Sequence, residues 1–184
     1  MAQFVLLLRG VNVGGKSMLS MAKLRDVLGG AGYEDVATYV QSGNVLVAAA
    51  DTKADAVARA VEKLLAAEFG RDVAVVARSG PAFRKVVAAN PYADQLADGA
   101  PGTSVHVAFL RTKPSAAGLA AIDAERFAPE AFQAVGKEVY LYLPNGIGRS
   151  KLAVELSERR LGSPATVRNW NTVTKLAAML DERR

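Results

Sequence analysis

Nine residues near the start, Arg9 to Ser17, read RGVNVGGKS. Gly10, four intervening residues and Gly15-Lys16-Ser17 satisfy the G-x-x-x-x-G-K-[ST] spacing of a phosphate-cradling loop. Such a loop wraps phosphates in main-chain N–H groups while a lysine and a helix start supply positive charge. The residue types suit that chemistry. Gly10, Gly14 and Gly15 let the backbone approach a ligand closely. Arg9 and Lys16 add cationic side chains. The spacing does not by itself make a nucleotide hydrolase, because Mg²⁺ is usually held by an aspartate ending a second apolar strand. The later strand ends read TYVQSG, VVARSG, AFLRTK and YLPNG, none closing on Asp or Glu. The next helix signal, Ser20, comes three residues after Ser17.

Two further polar clusters stand out. Gln41, Ser42 and Asn44 fill the turn-forming QSGN, where Asn44 suits the turn itself. In the second half, NGIGRSK from Asn145 to Lys151 repeats a glycine-rich helix start with Arg149 and Lys151. RNWNT, Arg168 to Thr172, brings an arginine, amides and the single tryptophan. Asn171 or Thr172 is expected to cap the last helix, and Trp170 to pack rather than stack on a ligand. His106, the one histidine, alternates with Val105 and Val107 and so points to the other face of a strand. No Ser-His-Asp set and no paired carboxylates at catalytic spacing are found.

The elements that must position these residues follow from hydrophobic periodicity. Phe4 to Leu8 is a continuous apolar run of strand length. Ser20 caps a helix with Met21, Leu24, Val27 and Leu28 on one face. Val36 to Val40 and Val45 to Ala49 are strands, Ala54 to Phe69 a helix and Val73 to Ala77 a strand. That order is the split β-α-β-β-α-β unit. Ser79 caps a short helix to about Ala89, and NPYADQLADGAPGTS reads as a linker. The order then returns: strand Val105 to Leu110, helix Pro114 to Ala124, strands Ala131 to Val135 and Val139 to Leu143, helix Ser150 to Leu161, strand Thr166 to Arg168. A last helix runs from about Thr172 to Glu182. VLLLRG and VAFLRT, opening the two halves, place Arg9 and Arg111 alike. The expected fold is α+β: two ferredoxin-like halves from an internal duplication, with largely antiparallel sheets and a C-terminal helix. The divisions are 1–79, 80–103 and 104–184. In this topology the first strand's end and the following hairpin share one end of a sheet, which groups Arg9, Asn12 and Lys16 with Gln41 and Asn44. The Asn145–Lys151 loop and Arg168, Asn169 and Asn171 share an end of the second.

Bulk properties bound the function. With 184 residues, 51% hydrophobic and 22% charged, a packed core is expected. The apolar runs are too short to span a bilayer. The start lacks the basic segment and cleavage site of a signal peptide, so a cytoplasmic protein without membrane contact is expected. Without cysteine, disulfides, thiolate metal sites and thiol nucleophiles are excluded. No metal or cofactor is expected. The net charge of +5 favours acidic partners.

Three stretches together resemble a known family: LLRGVNVGGKSMLSMAKLRDVLGGAGYEDVATYVQSGNVLV, YLPNGIGRSKL and TVRNWNTVTKL. They are similar to the bacterial family called domain of unknown function 1697, over nearly the whole chain. The resemblance implies two ferredoxin-like halves and carries no activity. The family's marked positions map onto Arg9, Gly10, Asn12, Gly14, Gly15 and Lys16, onto Gln41, Ser42, Gly43 and Asn44, onto Lys151, and onto Arg168 to Thr172. The leading expectation is binding of a phosphate-bearing or other anionic ligand between the halves by Arg9, Asn12, Gly14, Gly15, Lys16, Gln41, Asn44, Lys151, Arg168, Asn169 and Asn171. The alternatives are single-stranded nucleic acid binding, a P-loop-like nucleotide enzyme, and a homodimeric interaction module without a small ligand.

Overall fold

The computed structural model describes residues 1–13 and 18–183. They form two compact units, one of residues 1–85 with 176–184 and one of residues 86–175. The first unit runs β1 (Ala2–Leu8), α1 (Met21–Gly30), β2 (Glu34–Tyr39), β3 (Asn44–Ala49), α2 (Ala54–Phe69) and β4 (Val75–Ser79). α3 (Gly80–Ala88) follows β4 directly. The sheet order is β2-β3-β1-β4 with every pairing antiparallel, as the split β-α-β unit requires. Phe4, Leu6 and Leu8 turn one face of β1 toward the helices and pack with Val45, Val47, Leu24, Val61 and Leu65. Val5 and Leu7, on the other face, are fully buried as well. Burial on both faces explains why this strand is an unbroken apolar run rather than an alternating one. α1 starts where Ser20 accepts a hydrogen bond from Lys23 N, and α2 ends at left-handed Gly70, the usual chemistry of helix ends.

The second unit contains α4 (Ala93–Ala97), β5 (Val105–Leu110), α5 (Ala116–Ala120), β6 (Ala131–Val135), β7 (Glu138–Tyr142), α6 (Lys151–Glu155), α7 (Glu158–Leu161) and β8 (Ala165–Asn169). α8 (Trp170–Asp181) closes the chain. The sheet order is β6-β7-β5-β8, again wholly antiparallel. Its helix-covered face gathers Ala108, Leu110, Val139, Leu141, Leu152 and Leu161 into one core. Among the described residues, no helix is long and apolar enough to cross a membrane.

The local differences from the sequence reading have physical causes. The single helix expected over Ser150 to Leu161 is two, because each of two serines starts its own. Ser150 accepts from Ala153 N at 2.9 Å, and Ser157 from Arg160 N at 3.4 Å. The expected linker holds α4 and a 3₁₀ turn, Gly102–Ser104, anchored by buried Tyr92. α8 begins two residues early, at Trp170, because Asn169 Oδ1 accepts from Thr172 N at 3.0 Å. The cap is therefore Asn169 rather than Asn171 or Thr172.

The duplication can be followed residue by residue through the registers. Val5 pairs with Arg78, and Val107 pairs with Arg168. Both arginines are buried, and each donates Nη1 to the carbonyl of the residue before it, at 2.9 Å to Ala77 and 2.8 Å to Val167. The next residues, Ser79 and Asn169, cap the helices that follow, α3 and α8. The repeat therefore includes a strand, a buried arginine, a cap and a helix. The copies differ in their loops. Between β1 and α1 lie twelve residues, 9–20, whereas β5 and α5 are joined by five, 111–115. The β2–β3 connection is four residues, 40–43, and the β6–β7 connection two, 136–137. Both enlargements of the first copy fall at the same end of its sheet.

Candidate functional site

The enlarged end of the first unit is built around Asn12. Its backbone is left-handed, with φ of 56°, a conformation asparagine tolerates better than most residues. Its Oδ1 accepts from Leu19 N at 2.6 Å. Its Nδ2 donates to Leu19 O at 3.1 Å and to Gln41 O at 2.7 Å. One amide thus joins both ends of the glycine-rich stretch to the hairpin. Leu8 N also donates to Gly43 O at 2.8 Å. Gly43 has φ of 81°, and a Cβ there would sit 2.5 Å from Val11 Cγ2 and 2.7 Å from Leu8 Cβ. Asn44 is fully buried and donates Nδ2 to Tyr39 O and Ser42 Oγ, both at 3.0 Å. Arg9 is exposed at the end of β1, its N–H held by Ala74 O at 2.9 Å.

So Asn12, Gln41, Ser42 and Asn44 come together next to the end of β1, where Arg9 stands. Asn12 and Asn44 direct their amides into the chain and set the loop's shape. The exposed members are Arg9, Gln41 and Ser42. Gly14, Gly15 and Lys16 lie outside the described residues, as does Ser17.

The second cluster is brought to one sheet end in the second unit, for β7 and β8 both finish against the start of β5. Leu143 N donates to Ser104 O at 2.6 Å, and Gly102 lies beneath the Asn171 side chain with no room for a Cβ. Much of its polarity is engaged within the chain. Ser150 Oγ and Leu152 N both donate to a Glu130 carboxylate oxygen, at 3.0 and 3.3 Å. The start of α6 therefore already holds an anion of the protein's own. Sequence reasoning missed Glu130, twenty positions from Ser150, since no local spacing marks it. Arg168 donates to Thr166 Oγ1 at 2.7 Å as well as to Val167 O, and burial pulls its guanidinium pKa down to about 10. Lys151, Arg149, Asn145 and Asn171 are exposed. Trp170 is half-buried.

Of the three strand tyrosines that a base-stacking face would have to use, Tyr140 is buried with its hydroxyl donating to Val86 O at 2.7 Å. Tyr142 packs on Tyr92, ring centroids 5.8 Å apart. Tyr39 is half-buried. Among the described residues, no three His, Asp or Glu side chains are grouped to hold a metal ion. A cavity of about 580 Å³ opens at the other end of the first unit, lined by Gln3, Glu34, Asp35, Ser79, Arg84 and Arg183. It suits an anion poorly, since Arg84 is already bound to Asp181 at 2.8 Å and two carboxylates line the wall.

His106 lies on the helix-covered face of β5, opposite Leu141 and Asn169. It is 6% exposed, and its Nδ1 is shielded without a hydrogen-bond partner. Burial lowers its pKa below the ordinary 6.5. The corresponding position in the first copy is Phe4, which pairs with Ser79 as His106 pairs with Asn169. The unfolded chain takes up the imidazole proton at a higher pH than the folded chain does. The histidine's share of stability is therefore complete above pH 6.5 and is lost as pH falls toward the lowered folded pKa. Because the chain has one histidine, His106→Phe is expected to flatten the urea midpoint between pH 7.5 and pH 5.5. An unchanged slope in the variant would assign the dependence to other groups.

The comparisons with known proteins bear on the same architecture. The sequence profile of a family described as "Protein of unknown function (DUF1697)" matches residues 1–140. No curated protein matches the chain. Among solved structures, the conserved bacterial protein SP0830 from Streptococcus pneumoniae is similar, with a TM-score of 0.70 at 21% identity over 97% of this chain and 98% of that one. At that identity the likeness shows the fold alone.

Proposed function

We propose, for a chain that belongs to the DUF1697 family of proteins of unknown function, that the enlarged loop end of the first unit binds a phosphate-bearing anion. The single observation that carries this reading is the asymmetry of the duplication. In the first copy the two loops at one sheet end are both longer than their counterparts in the second, and Asn12 knits those loops together. A packed fold needs neither enlargement, as the second copy's five-residue and two-residue connections demonstrate. The enlarged stretch is also where glycines, Arg9 and, by sequence, Lys16 occur. Arg9 contacts the anion, and Gln41 and Ser42 stand exposed beside it. Asn12 and Asn44 hold the loop rather than the ligand. Both sheets are antiparallel, so the reading is a binding loop and not a P-loop hydrolase, whose strands run parallel.

A thermal-shift titration with inorganic phosphate tests it. A ligand at a hundredfold excess over its dissociation constant stabilises by about 2.7 kcal/mol, or roughly 5–10 °C for a chain of this size. Arg9→Gln and Lys16→Ala each remove a charge-assisted contact and are expected to weaken binding at least about tenfold. A wild-type protein that does not respond, or variants that respond equally, would overturn the proposal.

A further inference from the structure

The phosphate reading leaves the rest of the ligand unspecified, and the surroundings of Asn12 bear on it. Val13, Met18 and Val40 are the chain neighbours of Asn12, Leu19 and Gln41, the three residues joined by the Asn12 amide. Three exposed apolar residues therefore flank, in the chain, the residues of one hydrogen-bonded knot. They are 76%, 64% and 51% exposed. Their apolar neighbours Val11 and Leu19 are buried, so the loop has an inward apolar side and, separately, an outward one.

Val40 is unfavourable twice over. It is a β-branched residue with φ of 50°, in the region where a Cβ and a branched side chain are strained. It also gains little burial in return. The same hairpin uses a glycine at Gly43, where φ is also positive. Backbone strain held at an exposed side chain is a feature that clusters at ligand-binding and other functional sites.

The occupant follows from the patch's size and chemistry. Three side chains fall far short of the roughly 800 Å² per partner that a stable protein interface covers. They are aliphatic and so form no stacking platform for bases. Arg9 stands at the same sheet end. Resting on the phosphate reading above, we infer that the ligand is a soluble phosphate monoester with an aliphatic body, its phosphate at Arg9 and its chain laid across Val13, Met18 and Val40.

Isothermal titration with two probes, inorganic phosphate and octyl phosphate kept below its micelle concentration, tests this. In the wild type, octyl phosphate is expected to bind at least about tenfold more tightly, since each buried methylene adds to affinity. The double variant Val13→Ser/Met18→Ser is expected to lose that preference while keeping its affinity for inorganic phosphate. Val40→Gly is expected to raise the melting temperature by roughly 2–4 °C, as relief of left-handed strain should, and to reduce the preference for octyl phosphate. Equal affinity for both probes in the wild type overturns the inference and leaves the phosphate site standing. Binding of neither probe overturns both. A preference undiminished in the double variant places the chain elsewhere and overturns it. Sedimentation with phosphatidic acid vesicles, without binding of monomeric octyl phosphate, overturns it in favour of a membrane surface.

Discussion

Gly43→Ala is expected to lower the melting temperature by roughly 6–12 °C. Two costs add. The backbone there has φ of 81°, which charges any residue with a Cβ roughly 1–2 kcal/mol. The new methyl would also sit 2.5 Å from Val11 Cγ2 and 2.7 Å from Leu8 Cβ, inside van der Waals contact, and overpacking of this kind costs about 1–3 kcal/mol. The sum is about 3 kcal/mol. Gly32→Ala separates the two contributions. Gly32 has φ of 90° with nothing within 4 Å of its added Cβ, so only the conformational cost remains. Thermal denaturation of both variants beside the wild type is the measurement. Equal losses would mean that the hairpin does not press on Val11 and Leu8 as described.

Asn12→Ala is expected to be nearly as damaging and to reach function as well as stability. It removes three hydrogen bonds to Leu19 and Gln41, worth about 1 kcal/mol each at a half-buried site. Alanine is also poorly suited to the left-handed backbone that asparagine accepts. A fall of roughly 5–10 °C should follow, with weaker phosphate binding because the glycine-rich stretch is no longer tied to the hairpin. Asn12→Asp is the sharper test of function. A carboxylate would face the carbonyl oxygens of Leu19 and Gln41 and add negative charge beside Arg9. It is expected to abolish the phosphate response. Retention of phosphate affinity by the aspartate variant would place the anion away from this loop.

The architecture was legible because its signals are local and repeated. The apolar run FVLLL reads as a buried central strand, and β1 is buried on both faces. VLLLRG and VAFLRT align in the registers as they do in the sequence, with Val5 and Val107 each beside a buried arginine. The juxtaposition of Asn12 with Gln41 followed from strand directions alone. Other features depend on contacts that leave no local trace. Arg78 escaped notice because VVARSG reads as a strand stopping at Ala77, whereas β4 continues through Ser79. Arg168 and Asn169 read by type as ligand groups, and the contacts that also engage them, a buried bond to Thr166 and the cap of α8, leave no mark in the local sequence. Glu130 satisfies the start of α6 from a distant stretch of chain. Val40 reads as a strand residue by type, yet it stands in the turn with left-handed geometry. Polar residues at loop ends thus serve folding and ligand alike, and composition does not separate the two uses. Tracing each hydrogen bond to its partner does.

The most direct test of the account is a two-dimensional amide NMR titration of the ¹⁵N-labelled wild-type protein with inorganic phosphate. The expected result is that the amides of Gly10 to Asn12 and of Val40 to Asn44 shift together along one saturable curve, while those of Asn145 to Lys151 and Arg168 to Thr172 stay in place. Shifts confined to the second group, or a spectrum unmoved by phosphate, would contradict it.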